Sequence, residues 1–143
     1  MPYTKIQIVF DAAEPRKLGA FWALALGYRQ DPIPPEFDTV EDFLRSIGIP
    51  EDQLHAMWAL VDPSGEGPRV FFQQVPEGKT AKNRVHLDVR VAGSDVKGED
   101  RAARQKAHVA RLTEAGGTVL RELGEPGECT VMQDPEGNEF CVC

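Results

Sequence analysis

The tetrapeptide Asp62-Pro63-Ser64-Gly65 returns as Asp134-Pro135-Glu136-Gly137, and each copy sits at the same point of a longer order. Before each lie an alternating strand, an amphipathic helix, a glycine stop and two further strands. After each lies one last strand. Two copies are too few for a solenoid, in which each repeat leans on its neighbours to bury a core. The order therefore predicts a pseudo-twofold pair of βαβββ units. Short turns between successive strands imply antiparallel neighbours. The expected fold class is α+β, with curved, antiparallel-rich mixed sheets.

In the first unit, taken as residues 3–75, Lys5–Asp11 alternates, with Ile6, Ile8 and Phe10 on one face. Pro15 opens a helix near 14–26 whose Leu18, Phe21, Trp22 and Ala25 share a stripe, and Gly27 ends it. A strand over 28–31 is broken by Pro32 and Pro35. The stretch of about 32–55 reads as a helical insert, capped by Thr39 and with Phe43, Leu44 and Ile47 on its apolar side. Strands follow at 56–61 and 69–75, and a polar linker at 76–82. The second unit, 83–143, opens on Asn83–Val91, where Val85, Leu87, Val89 and Val91 alternate with His86, Asp88 and Arg90. A helix is expected at about 100–115, with Ala103, Ala107, Ala110 and Glu114 along one line and Val109 and Leu112 beside it. It is stopped by Gly116-Gly117, and strands follow at 118–122, 128–133 and 138–143. The acidic turn at 122–128 reads as solvated. The units make one domain, 1–143. Its expected core is Ile6, Ile8, Phe10, Leu18, Phe21, Val85, Leu87, Val89, Phe140 and Val142.

A net charge of −7 with no basic stripe argues against a nucleic-acid partner. No apolar run approaches the roughly 18 residues of a membrane span, and no signal peptide is visible. No membrane partner is expected. Cys129, Cys141 and Cys143 are an odd set. Cys141 and Cys143 stand two apart on one strand face, where a bridge between them is disfavoured, so the three read as reduced thiols in a cytoplasm.

FW…LGY after the first strand, RVHLDV opening the second half and DPEGNEFCV at the end, set in paired βαβββ units, resemble the vicinal oxygen chelate superfamily. Within it, the sequence is most similar to the glyoxalase-like group related to bleomycin-resistance proteins. The resemblance spans nearly the whole chain except the insert. It implies a homodimer and a cup for a small organic ligand. It also implies that metal ligands, where a member has them, come from the first and last strands of each unit. Carried over by motif, those places are Gln7, Phe71, His86 and Cys141, with Gln73 in place of Phe71 if the register shifts. Phe71 binds no metal, and the family's last-strand carboxylates are missing. A resident cofactor is therefore not expected, and a divalent metal on Gln7, His86 and Cys141 is the alternative.

His86 is the one catalytic candidate, as base or ligand; its structural reading is a neutral histidine paired with Asp88. Cys141 reads as a nucleophile or as an inert buried thiol. Trp58 reads as a stacking surface or as sheet cover. The candidate ligand-binding set is Gln7, Trp58, Phe71, Gln73, His86, Asp88 and Cys141. Three functions follow in order: a small-molecule binding protein of the drug-resistance or ligand-sequestering type with a degenerate metal site; a metal-dependent lyase or isomerase of the glyoxalase kind; an interaction domain whose cup is self-filled.

Overall fold

The computed structural model describes residues 3–125 and 128–143; Pro126 and Gly127, in the acidic turn, lie outside that range. The residues cluster into two compact units. The first runs up to Ala23 and includes Gly27–Gly78; the second joins Leu24–Leu26 to Lys79–Cys143.

The first unit holds β1 (Ile8–Ala12), α1 (Pro15–Leu26), β2 (Arg29–Gln30), α2 (Val40–Ser46), a 3-10 turn (Glu51–Gln53), β3 (Met57–Val61) and β4 (Val70–Gln74). Its sheet has the order β1-β4-β3-β2. β1 runs parallel to β4, and the other pairs are antiparallel. Pro15 takes the first helical position of α1, where no amide is required, and Gly27 closes it with φ 68°. The α1 stripe packs as its spacing implies: Leu18, Phe21 and Trp22 are buried with Leu60, Val70 and Phe72. Phe10 lies 5.3 Å from Phe72 and 4.9 Å from Trp22, centroid to centroid. The other sheet face carries the directly paired Val9 and Phe71, and Asp11 and Gln73. The insert is helical as expected, with the Thr39 hydroxyl accepting from the Asp42 amide at 3.1 Å. Ile47, expected on the apolar side, is exposed: it is the C-cap residue, past the last helical residue Ser46.

The second unit repeats the plan with β5 (Asp88–Val89), α3 (Gly98–Glu114), β6 (Thr118–Leu123), β7 (Cys129–Gln133) and β8 (Glu139–Val142). The sheet order is β5-β8-β7-β6, with β5 parallel to β8. The alternation of 83–91 therefore overstates the strand, which is a two-residue ladder. Val85 is 80% exposed and Ile6 71%, against their expected places in the core. Both precede the first rung of their parallel ladders, Ile8↔Val70 and Asp88↔Cys141, and so pair with no strand among the described residues. Val89, Phe140 and Val142 are buried.

On α3 the buried line is Gln105, His108 and Leu112, not the alanines, which are exposed. The Gln105 amide donates to the Thr130 hydroxyl. His108 Nε2 donates to the Ala25 carbonyl at 2.9 Å, and its Nδ1 accepts from Arg111 at 2.9 Å. The cysteines are also not all thiols: Cys129 and Cys143 form a disulfide, and Cys141 alone is free. The β7–β8 register pairs Thr130 with Val142, which sets residues 129 and 143 opposite one another. Among the described residues, no helix is long and apolar enough to cross a membrane.

Both D-P-x-G turns use the same hydrogen bonds. Each aspartate carbonyl accepts from the glycine amide at 2.9 Å, and each carboxylate accepts from the amide two residues on, Ser64 or Glu136. Gly65 and Gly137 have φ of 77° and 86°, a region that a side chain makes costly.

Candidate functional site

In the first unit, the pleat turns Met57, Ala59 and Phe71 to one face of the sheet. The insert carries Val40, Phe43 and Leu44 against that face. Between them lies a mostly apolar hollow of about 110 Å³. An apolar cavity of roughly this size accommodates one aromatic ring. Trp58 also borders the hollow. Its other side is held tightly: a Cβ at Gly19 would collide with its ring. The Arg16 guanidinium lies 4.9 Å from the Trp58 ring centroid. A second bond of Arg16, to Glu41 at 2.6 Å, ties the insert to α1.

One end of the hollow is polar. Arg69 Nε donates to Asp31 Oδ2 at 2.8 Å, and Nη1 donates to the Gln7 side-chain oxygen at 2.8 Å. The guanidinium lies 5.5 Å from the Phe71 ring centroid. Gln7 thus meets the site through Arg69. Gln73 shares the Phe71 face but is exposed and donates to Asp11 Oδ1 at 2.8 Å; it does not border the hollow. Asp31 and Arg69 carry the polar chemistry of this end, and sequence reasoning missed them. They are 38 residues apart and stand at the ends of two strands, so no local motif links them.

In the second unit, β5 and β8 bring together His86, Asp88 and Cys141, whose ligand atoms all lie within 4.8 Å of one another. Asp88 and Cys141 are direct ladder partners, and His86 Nε2 is 3.4 Å from Asp88 Oδ1. Burial pushes the Cys141 thiol up, and the Asp88 carboxylate beside it adds to the effect, only partly offset by Arg121 and Lys82. A nucleophilic thiol needs the opposite environment, so the inert reading of Cys141 fits better. As a donor set, one imidazole nitrogen, one carboxylate and one sulfur suit zinc. They suit an oxygen-preferring ion such as Mn(II) or Mg(II) poorly.

The model of the glyoxalase-like domain family matches residues 7–143. The chain belongs to that family, and through it to the vicinal oxygen chelate superfamily. No curated protein matches it. Solved structures share the fold at low identity. A mutant fosfomycin resistance protein, FosX, from Listeria monocytogenes, complexed with Mn(II) and 1S,2S-dihydroxypropylphosphonic acid, has a TM-score of 0.62 and 9% identity, covering 99% of this chain and 90% of that one. FosX from Mesorhizobium loti has 0.59 and 12%, covering 99% and 91%. A glyoxalase/bleomycin resistance protein/dioxygenase family enzyme from Burkholderia phytofirmans PsJN has 0.57 and 16%, covering 96% and 94%. At such identities the likeness shows the fold alone.

Proposed function

We propose that this chain is a small-molecule binding protein, of the drug-resistance or ligand-sequestering type, with a degenerate metal site. The observation that carries the reading is the apolar hollow of the first unit, flanked by the insert and ended by the Arg69–Asp31 pair. Ligand pockets are commonly apolar walls with a few fixed polar groups. Phe71 and Trp58 are the proposed ligand surfaces, and Gln7 positions Arg69. In the second unit the proposed polar contacts are His86, Asp88 and Cys141. A small organic ligand is the proposed partner and a homodimer the proposed assembly. Titration of ¹⁵N-labelled protein with toluene tests the reading. Saturable amide shifts are expected at Met57, Ala59 and Phe71, weakened at least five-fold in Phe71→Ala. Shifts spread evenly over the chain, or none at all, would refute it.

A second reading, a metal-dependent lyase or isomerase of the glyoxalase kind, is favoured by the clustering of His86, Asp88 and Cys141. These three residues would hold zinc, which when bound would act as a Lewis acid on a substrate oxygen. The set of Gln7, His86 and Cys141 fits less well, because the Gln7 oxygen already accepts from Arg69. Under the first reading, untagged protein carries substoichiometric metal and has no methylglyoxal–glutathione isomerase activity. Stoichiometric zinc that disappears in His86→Ala would put the enzyme first.

A further inference from the structure

The Arg69–Asp31 pair is half closed. Arginine and carboxylate often meet through two parallel bonds. Here Nε donates to Asp31 Oδ2 at 2.8 Å, and Nη1 is taken by Gln7. Nη2 and Asp31 Oδ1 make no hydrogen bond among the described residues. Gln7 and the Phe71 ring fix the guanidinium plane, and the Asp31 backbone amide, donating to the Ala59 carbonyl at 2.9 Å, anchors the aspartate. Both side chains border the hollow. Its polar end therefore includes one guanidinium nitrogen and one carboxylate oxygen that have no hydrogen-bond partner among the described residues.

We infer that the hollow selects ligands that end in a neutral carboxamide or lactam edge, read jointly by Arg69 and Asp31. The inference rests on the hollow being the ligand site proposed above. An amide offers a carbonyl to Nη2 and an N–H to Oδ1, completing the open half of the pair. A carboxylate at the same place meets Arg69 but must lie against the unpaired Asp31 oxygen. An ammonium meets Asp31 but must lie against Arg69. Each ion thus gains one partner and is repelled by the other, whereas the amide satisfies both. The apolar walls, with Phe71 and Phe43, suit a flat ring or short hydrocarbon behind that edge.

The test is the affinity of four probes of one ring size, read from the Met57, Ala59 and Phe71 amide shifts: toluene, benzamide, benzoate and benzylammonium. Benzamide is expected to bind at least ten-fold more tightly than the other three. Two substitutions should move the preference in opposite directions. Asp31→Asn leaves Arg69 without its counter-charge, so benzoate should overtake benzamide. Arg69→Gln leaves Asp31 exposed to the ligand, so benzylammonium should gain. Benzoate or benzylammonium binding as tightly as benzamide to the unaltered protein would overturn the inference while the hollow stood as a ligand site. So would equal binding of all four probes, which would show that the pair takes no part. Failure of every probe, toluene included, would overturn the hollow itself.

Discussion

His108 shows how far a single residue can depart from its sequence context. It stands on a helix rich in charge, yet it is 7% exposed. Its partners fix its chemistry. The Ala25 carbonyl can only accept, so Nε2 carries a proton; the Arg111 guanidinium can only donate, so Nδ1 does not. A second proton would have to sit on Nδ1, facing a cation. Burial, above all, lowers the folded-state pKa, and Arg111 adds to it, against the pull of the Ala25 bond. In the unfolded chain the group returns to an ordinary value of about 6.5. Below that pH the unfolded state binds more protons than the folded one, so the contribution of His108 is full above about 6.5 and is lost as pH falls. Urea unfolding at pH 7.5 and 5.5 should show this loss, and His108→Gln should reduce it. An unchanged pH dependence in that variant would refute the assignment. On α3 the expected Leu112 is buried but the line of Ala103, Ala107 and Ala110 is exposed, for the same reason. Apolar spacing cannot reveal that Gln105 and His108 are buried with hydrogen-bond partners, because the Thr130 hydroxyl and the Ala25 carbonyl lie on other elements.

At the scale of elements, the D-P-x-G turns were legible because local chemistry alone sets them. Proline fixes one dihedral, aspartate accepts from nearby amides, and glycine takes the positive φ. The two turns are not equivalent, however. Asp134 is 3% exposed. Its carboxylate accepts from the Glu136 amide, the Asn138 amide and the Asn138 side chain at 2.8–3.0 Å. Asp134→Ala would strand these donors in a partly buried turn and should destabilise by about 2–3 kcal/mol. Asp62→Ala, in the more exposed copy, should cost less, and equal losses in thermal unfolding would refute the distinction. Gly137→Ala meets only the Lys79 side chain, at 3.8 Å. Its cost should therefore be the backbone strain alone, about 1–2 kcal/mol. Strand ends were less legible than turns. Alternation continues through Val85 and Ile6, but a strand needs a neighbour, and both residues stand before the partner strand begins. Val85→Ala should therefore change stability by under about 0.5 kcal/mol, whereas Val89→Ala, in the ladder and 7% exposed, should cost about 1–2.5 kcal/mol.

At the scale of the molecule, the repeat made the two-unit plan and the α+β class readable, because both follow from element order. What order cannot convey is which distant side chains meet. Arg69 reaches Asp31 across 38 residues, and Cys129 reaches Cys143 across 14. The second pairing turns on one residue of turn length: counting equally outward from DPEG sets 129 against 142, whereas the turn also takes in Asn138, which sets 129 against 143. The bridge ties off the end of the β7–β8 hairpin, opposite its turn. A loop of about 15 residues closed in the unfolded chain corresponds to about 3 kcal/mol in the chain-entropy account. The hairpin is local, so residual pairing of its strands in the unfolded state should reduce that figure. Reduction should therefore lower the unfolding free energy by about 1–3 kcal/mol without dismantling the sheet, whose β7–β8 ladder runs from Thr130↔Val142 to Gln133↔Glu139 without the sulfurs. Urea unfolding with and without dithiothreitol measures this, and the Cys129→Ser, Cys143→Ser double variant serves as control. The double variant should match the reduced protein and be insensitive to dithiothreitol. A wild type whose urea midpoint did not move on reduction would show that the bridge contributes nothing. A Cys141→Ser variant that lost the reductant effect would show that Cys141, not Cys129, pairs with Cys143 in solution.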